Sequence, residues 1–245
     1  MRIRSDFLEV QAINFLKFYW FQMVLVAVIG YLIGSVSFSI LFTRQFKNKE
    51  DIRNLGSGNA GFTNVLRSVG FWPAFLTMLG DFSKGIIACL FGKMIFSQIN
   101  LAGVPTFCIV QYGMYIAGVA CLAGHVYPCF FELRGGKAVL TAFSMLIMTD
   151  WQVAALSFAV FLIIVFTTRL VSLGSILAAV AYPVFTFCIT YFCDYLGDRR
   201  PATFGYTVVV TTAAVLISVF VIYKHKKNLI RLLNGEEKKL TVATK

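Results

Sequence analysis

The chain has 245 residues, of which 58% are hydrophobic and only 13% are charged, and its mean hydropathy is +0.78. Soluble domains carry about 25% charged residues, and so short a chain cannot bury this much apolar mass in one core. The composition argues against a soluble enzyme, a disordered protein and a disulfide-rich secreted module, and it indicates a membrane protein. The net charge of +11 is carried mainly by residues between the apolar segments.

Seven apolar segments predict an all-α integral membrane protein, because about 20 helical residues cross a bilayer core of roughly 30 Å. In chain order the segments cover about 22–42, 71–97, 106–130, 137–150, 151–169, 172–193 and 203–224. The fourth segment is short, and only Thr149-Asp150 separates it from the fifth. We expect a single domain over 1–245, in which residues 1–21 extend the first helix and residues 224–245 form a tail.

Lysine and arginine residues are distributed unequally between the two sides of this predicted bundle. The segments after the first, third, fifth and seventh helices contain 15 of them, and the opposite side contains 5. Since cytoplasmic loops are enriched in Lys and Arg, the bias predicts an amino terminus outside the cell and a carboxyl terminus in the cytoplasm. The polar stretches described next fall on or near the cytoplasmic side, which predicts one composite site built from several loops.

A glycine-rich polar stretch follows the first segment. Its informative residues are Arg53, Gly56, Ser57, Gly58, Asn59, Gly61, Asn64 and Arg67. Glycines allow backbone N–H groups to approach an anion closely, and serine and asparagine side chains add neutral donors. An arginine can bind a phosphate through two parallel hydrogen bonds. The stretch predicts a phosphate site, and the alternative is a flexible connector.

Two ionisable residues, Asp81 and Lys84, lie inside the second apolar segment. Their i, i+3 spacing places both side chains on one helix face. They either form an ion pair that neutralises both charges, or they contribute to a site, since ionisable residues in membrane segments are often functional.

The sequence Gly135-Gly136-Lys137 precedes the fourth segment. Free N–H groups at a helix start, together with a lysine charge, predict phosphate binding here. His125, ten residues before Gly135, is a single histidine of the kind that more often has a structural hydrogen-bonding role.

Two more polar stretches border the last two apolar segments. Ser172 and Ser175 open the sixth segment, where a serine either caps the helix or binds a ligand. In the tail, the i, i+3, i+6 spacing of His225, Asn228 and Arg231 can place them on one helix face, and Glu237 follows. The residues alone therefore predict a membrane protein that recognises phosphate on its cytoplasmic face, with no metal centre, no cofactor and no nucleic-acid partner.

Nine stretches occur in a characteristic order between residues 31 and 237: Tyr31-Leu-Ile-Gly-Ser35, Asp51-Ile-Arg53, Gly56-Ser-Gly-Asn-Ala-Gly61, Thr63-Asn-Val-Leu-Arg67, Asp81-x-x-Lys84-Gly85, Gly124-His125-x-x-Pro128, Gly135-Gly-Lys137, Ser172-Leu-x-Ser175 and Asn228-x-x-Arg231-Leu-x-x-Gly235-x-Glu237. Together they closely resemble the bacterial membrane glycerol-3-phosphate acyltransferases that use acyl phosphate, the PlsY family. Three positions depart from that family's usual pattern: Ser37 replaces a proline, Ala138 a glycine and Leu140 an alanine.

The resemblance implies a seven-helix enzyme of the bacterial cell membrane with its active site facing the cytoplasm. The enzyme would transfer a fatty acyl group from acyl phosphate to the 1-hydroxyl of glycerol 3-phosphate, giving lysophosphatidic acid and inorganic phosphate. Catalytic roles would fall to Lys137, His225 and Asn228. These three would also bind substrate, together with Ser57, Asn59, Arg67, Gly135, Gly136 and Ser175. Supporting roles would fall to Arg53, Asn64, Asp81, Lys84, His125, Arg231 and Glu237.

Several alternatives stay open at this stage. A transporter for a phosphorylated solute would share the phosphate chemistry, but it should show inverted repeats, which the sequence lacks. A lipid-binding scaffold would leave the glycine-rich stretches unexplained. The same acyl transfer could use a thioester donor, because no residue identifies the leaving group. His225 could serve as a general base or only as a ligand, and the oligomeric state is open.

Overall fold

The structure, a computed structural model, describes the backbone of residues 2–239 and the side chains of residues 17–239. All regular elements in this part of the chain are helical. They are α1 (Arg2–Ser35), α2 (Phe38–Phe46), a 3-10 turn (Ile52–Asn54), α3 (Phe62–Ser68), α4 (Phe71–Phe96), α5 (Thr106–Val126), α6 (Val139–Thr149), α7 (Trp151–Thr168), α8 (Val171–Cys188) with a π-helical turn (Ile189–Tyr195), α9 (Phe204–Lys224) and α10 (Lys226–Leu233). The predicted extension over 1–21 lies mostly outside the residues whose side chains are described.

Six helical segments of the described chain are long and apolar enough to cross a membrane: Lys17–Phe46, Phe71–Phe96, Thr106–Val126, Trp151–Thr168, Val171–Tyr195 and Phe204–Lys224. The predicted all-α membrane fold is confirmed. The fourth predicted segment forms α6, whose 11 residues reach only about 16 Å. The predicted break after Thr149 is present, because the Asp150 carboxylate accepts the N–H of Gln152 and caps α7. The count of seven spanning helices and the orientation of the termini stay predictions.

Close packing of α1 against α5 depends on two glycines. A Cβ atom added at Gly30 would lie 2.6 Å from the Ala117 carbonyl oxygen, and one added at Gly34 would lie 2.1 Å from that of Cys121. Small residues four positions apart allow helix backbones to approach in this way. The partner of this glycine face is therefore another helix of the same chain.

The first apolar segment is not one continuous helix, so the prediction of a single helix over 22–42 is wrong. The helix stops at Ser35 and restarts at Phe38. The ammonium group of Lys84 donates hydrogen bonds to the carbonyl oxygens of Gly34, at 3.1 Å, and Val36, at 3.0 Å. Backbone carbonyls freed by a break inside a membrane need such a donor. The break therefore depends on a lysine about fifty residues away, which local sequence patterns do not reveal.

The turn before α6 has an unusual backbone. Ala138 precedes the helix with φ of 60°, in the left-handed region, and its side chain is buried. This conformation costs an L-residue roughly 1–2 kcal/mol, and glycine avoids most of that cost. Ala138 therefore occupies a position that glycine would adopt with less strain.

We expect Lys84→Met to lower the free energy of unfolding by about 3–5 kcal/mol, because the substitution leaves the Asp81 carboxylate without its partner at 3.0 Å. Removing both charges in Asp81→Asn/Lys84→Met should recover part of this loss. The midpoint of thermal unfolding in detergent measures both effects. Lys226→Met, at an exposed lysine, is the control, and an equal loss in the single and double variants would contradict the expectation.

We expect Ala138→Gly to raise the free energy of unfolding by about 1 kcal/mol, because the substitution relieves the left-handed strain. Ala142→Gly, inside the regular part of α6, should lower it by about as much. Thermal unfolding of the two variants side by side checks the opposite signs. A loss of stability in both would show that residue 138 is not strained.

Candidate active site

Five side chains from distant parts of the sequence form one hydrogen-bonded group, which we call the Asn228 cluster. The Lys137 ammonium donates to Oδ1 of Asn228. Nδ2 of Asn228 donates to Ser172 Oγ at 2.6 Å and to Glu237 Oε1 at 2.7 Å. The Ser172 hydroxyl donates to the same carboxylate oxygen at 2.5 Å, and Arg231 Nε donates to Oε2 at 3.0 Å. The Asn228 amide thus connects the segment before α6, the start of α8, and α10 with the tail that follows it.

The electrostatics of this cluster favour an anion. Burial lowers the pKa of Lys137 to about 8; the charge of Glu237 opposes the shift, and the charges of Arg231 and Arg67 add to it. Burial alone would raise the pKa of Glu237, but hydrogen bonds within the Asn228 cluster and the Arg231 charge hold it below its ordinary value. One carboxylate therefore stands against three cations. An incoming anion would relieve the repulsion among these cations.

His225 lies at the junction of α9 and α10 and is buried. Its Nδ1 is 2.8 Å from the carbonyl oxygen of Val221, so Nδ1 carries the proton and donates. Burial, together with the charge of Lys137, lowers the pKa of His225 to about 4. The imidazole is therefore neutral near pH 7, and Nε2 has a free lone pair that can accept a hydrogen bond.

The glycine-rich stretch forms a tight loop around the side chain of Asn64. Nδ2 of Asn64 donates to the carbonyl oxygens of Leu55 and Asn59, at 2.9 and 3.1 Å, and Oδ1 accepts the N–H of Ser57 at 3.0 Å. Gly56 and Gly58 have positive φ values, which this turn requires. The buried Asn64 therefore has a structural role in the loop, which leaves the side chain of Ser57 exposed.

Arg67 follows this loop at the end of α3, with its side chain exposed. Its guanidinium makes no hydrogen bond or ion pair with any residue that the structure describes, yet it lies near enough to lower the pKa of Lys137. Arg53, by contrast, is fully engaged. It pairs with Asp51 at 2.9 Å and donates to the carbonyl oxygen of Phe131 at 2.9 Å. Of these two arginines, Arg67 is thus the one that is free to bind an anion.

The glycines before Lys137 do not offer free N–H groups. The N–H of Gly135 donates to the carbonyl oxygen of Val126, and that of Gly136 to the carbonyl oxygen of His125. These bonds satisfy the last carbonyls of α5, so the two N–H groups are not free, and substrate binding at Gly135 and Gly136 stays a prediction. Glycine is required for another reason: a Cβ atom would lie 1.9 Å from His125 O at position 135 and 2.3 Å from Ala60 O at position 136.

The two intramembrane charges form a buried ion pair rather than a second site. Asp81 and Lys84 are both 2% exposed and lie 3.0 Å apart. Nδ1 of His125 is 3.5 Å from the same Asp81 oxygen. Since the His125 carbonyl holds Gly136, this group supports the backbone that presents Lys137. Among the described residues, none of the three has a hydrogen bond or ion pair with a member of the Asn228 cluster.

Ser172 is the serine in the Asn228 cluster, whereas the family resemblance assigns substrate binding to Ser175. Ser175 lies one helical turn further along α8 and donates to the carbonyl oxygen of Val171 at 3.0 Å. It lines an apolar groove with a cavity volume of about 130 Å³ between α6, α7, α8 and α9. Val139 and Val221 also line the groove, which therefore begins beside Lys137 and His225.

Comparisons with known proteins agree on one family. A family model described as glycerol-3-phosphate acyltransferase matches residues 24–235. A glycerol-3-phosphate acyltransferase of Prochlorococcus marinus (strain MIT 9312) is 37% identical over 217 residues, covering 89% of this chain and 97% of the relative. The enzyme of that name from Syntrophomonas wolfei is 36% identical over 220 residues, covering 90% of this chain and 98% of the relative.

Two crystal structures of PlsY (YgiH), an integral membrane glycerol 3-phosphate acyltransferase, have the same fold. The glycerol 3-phosphate form superimposes with a TM-score of 0.73 at 32% identity, covering 90% of this chain and 96% of that one. The lysophosphatidic acid form gives a TM-score of 0.71 at 31% identity, with the same coverage. The chain is therefore an enzyme of the glycerol-3-phosphate acyltransferase family.

Proposed function

We propose that the chain transfers a fatty acyl group from acyl phosphate to the sn-1 hydroxyl of glycerol 3-phosphate. The products are lysophosphatidic acid and inorganic phosphate, and the reaction is the first step of phospholipid synthesis. One observation carries this proposal: the cationic Asn228 cluster lies next to one end of an apolar groove, whose lining includes Val139, two residues after Lys137, and Ser175, one helical turn after Ser172. Such a site suits two phosphate-bearing substrates, one of which has a fatty chain. The names of the relatives and the ligand forms of the PlsY structures support it.

The reaction needs charge neutralisation and positioning more than a strong base. The glycerol hydroxyl oxygen attacks the acyl carbonyl carbon, and the bond between that carbon and the phosphate oxygen breaks. Because acyl phosphate is a mixed anhydride, its leaving group is already good. Lys137 and Arg67 offset the repulsion between the two anions and the charge that develops on the carbonyl oxygen. Holding both substrates in register is worth roughly 7–11 kcal/mol.

The proton of the attacking hydroxyl passes to the phosphate that leaves. With a pKa of about 4, His225 is a weaker base than a phosphate ester, whose second pKa is about 6. The neutral imidazole instead accepts a hydrogen bond at Nε2 and orients the hydroxyl of glycerol 3-phosphate. Atoms and charge balance, since the released phosphate carries the proton that the hydroxyl loses.

The acyl chain occupies the groove between α6 and α9. From Val139 to Leu146 the groove follows α6 over about 10 Å, and Tyr182 lines it at the same depth on α8. Its walls are almost entirely aliphatic and aromatic, and its open side faces the bilayer. The first half of a long acyl chain fits inside, and the remainder extends into lipid.

We further propose that the enzyme lies in the bacterial cell membrane with this site facing the cytoplasm. The Asn228 cluster is at the end of the bundle where α9 is followed by Lys224, Lys226 and Lys227. The loops at this end hold most of the lysines and arginines of the chain, and the positive-inside rule assigns such loops to the cytoplasm.

An acyl-transfer assay with separate donors tests the proposed reaction. Purified protein receives labelled glycerol 3-phosphate with palmitoyl phosphate, palmitoyl-CoA or palmitoyl acyl carrier protein. We expect lysophosphatidic acid from palmitoyl phosphate alone, and a loss of about 100-fold or more in Lys137→Ala, which removes a cation from the reacting centre. Lys226→Ala, at an exposed lysine on the same face, should keep its activity.

Other outcomes of this assay would overturn specific parts of the proposal. Product from a thioester would keep the acceptor and replace the donor. Product on the sn-2 hydroxyl, identified by chromatography of the lysophosphatidic acid isomers, would contradict the proposed regiochemistry. No product from any donor, with glycerol 3-phosphate still bound, would favour a transporter.

The pKa of Lys137 predicts an alkaline limit to catalysis. We expect kcat/KM for glycerol 3-phosphate to fall as the pH rises through about 8, because the ammonium of the free enzyme then loses its proton. Measuring upward from pH 7 avoids the ionisation of the substrate, whose second pKa is about 6. The Lys137→Arg variant stays charged over this range, so its kcat/KM should not fall as the pH rises through about 8, even at a lower overall rate. A fall of kcat/KM at the same pH in the arginine variant would show that another group is responsible for it.

A further inference from the structure

A second cavity, of about 450 Å³, lies at the opposite end of the bundle from Lys137. Its wall includes Lys93 of α4, Gln111 of α5, Trp151 of α7 and Arg200 of the loop before α9. Gln111 precedes His125 by fourteen residues on the same helix, a separation of about 21 Å. The cavity is therefore distinct from the groove beside the Asn228 cluster.

The charges around this cavity leave one cation unbalanced. Asp150 accepts hydrogen bonds from Arg199 and Arg200, each at 2.9 Å, and Asp194 accepts one from Arg199 at 2.5 Å. These two carboxylates balance the two arginines. Lys93 is exposed and has no hydrogen bond or ion pair with any residue in the described part of the chain. The surplus charge therefore belongs to Lys93.

Cationic donors in the wall remain available. Arg200 makes its side-chain hydrogen bond from Nη1 and lies 5.5 Å from the centre of the Phe107 ring, which leaves Nε and Nη2 without a hydrogen-bond partner among the described residues. Nε2 of the buried Gln111 donates to the Thr149 carbonyl, but its Oε1 has no described partner. The wall thus offers the cationic nitrogens of Lys93 and Arg200 to a ligand, whereas the Gln111 amide oxygen is enclosed by the protein.

The position of the cavity matches that of a lipid headgroup. Lys93 is three residues from the end of α4, and Trp151, which is 62% exposed, begins α7. Tryptophan and basic residues at helix ends are typical of the membrane interface. The side chains of Val110, Met114 and Met148 together form an apolar part of the cavity wall. A free phosphate would leave that wall uncovered, whereas a glycerophospholipid would cover it.

We propose that this cavity binds one anionic phospholipid. The phosphate contacts Lys93 and the free nitrogens of Arg200, and the glycerol and upper acyl carbons lie against the apolar wall. Lysine and arginine side chains bind phosphate groups through charge-assisted hydrogen bonds of this kind.

Native mass spectrometry of the full chain in detergent tests the site with phosphatidylglycerol and phosphatidylcholine as probes. We expect one retained phosphatidylglycerol, little phosphatidylcholine, and an affinity for phosphatidylglycerol about fivefold weaker in Lys93→Gln. Lys93→Arg keeps the charge and should retain the lipid. Lys17→Gln, which removes an exposed cation of α1 that lies outside the cavity, is the matched control.

Thermal unfolding separates a lipid from a free anion as the source of the phosphate. Inorganic phosphate that stabilises the wild type more than Lys93→Gln would assign the site to a free anion and overturn the lipid. Stabilisation by phosphatidylglycerol alone, lost in Lys93→Gln, supports the lipid. Equal phosphatidylglycerol binding by wild type, Lys93→Gln and Lys17→Gln would overturn the site itself. Acyl transfer at saturating substrate should be unchanged in Lys93→Gln.

Discussion

The end of the bundle that holds Lys137 depends on the ion pair and hydrogen bonds of the buried Lys84 ammonium group. An unpaired ammonium in a low-dielectric interior costs several kcal/mol, so it requires both a carboxylate and carbonyl acceptors. Asp81 supplies the first, and the break between α1 and α2 supplies the second. The same Asp81 carboxylate lies beside His125, whose carbonyl holds Gly136. The Lys84 charge thus stabilises both the break between α1 and α2 and, through Asp81 and His125, the backbone next to Lys137.

The Asn228 cluster places a neutral amide between a cation and a carboxylate. If Glu237 paired directly with Lys137, the lysine charge would be satisfied before substrate arrived. Instead, Arg231 and two hydrogen-bond donors stabilise Glu237, and within the described part of the chain the Lys137 ammonium donates its hydrogen bond to the Asn228 amide oxygen. The lysine charge therefore remains available to an incoming phosphate. Its lowered pKa is the cost of this arrangement, and a bound dianion reverses the shift.

Local sequence patterns predicted most of the helices but fewer of the atomic roles. Segment length and hydropathy identify the helices because the bilayer core sets the length of a spanning helix and requires apolar side chains. The start of α7 is also predictable, because Asp150 caps it. The break at Val36 and the use of the Gly135 and Gly136 N–H groups could not be predicted, because each depends on a partner from another helix. The choice of Ser172 over Ser175 depends on where the tail returns with Glu237, which spacing within α8 does not encode.

The short helix α6 explains why the bundle has a cavity at each end. A helix of about 16 Å covers only half of a hydrocarbon core of roughly 30 Å, so its neighbours, which are longer, are left uncovered above and below it. At its start, Val139 and Leu140 border the groove beside Lys137. At its end, Ile147 and Thr149 border the cavity beside Lys93. The groove follows α6 from Val139 to Leu146 and leaves a gap between the helices next to Lys137. An enzyme that joins a water-soluble phosphate to a fatty chain needs such a gap, because its reacting atoms must meet below the membrane surface with one substrate approaching from water and the other from lipid.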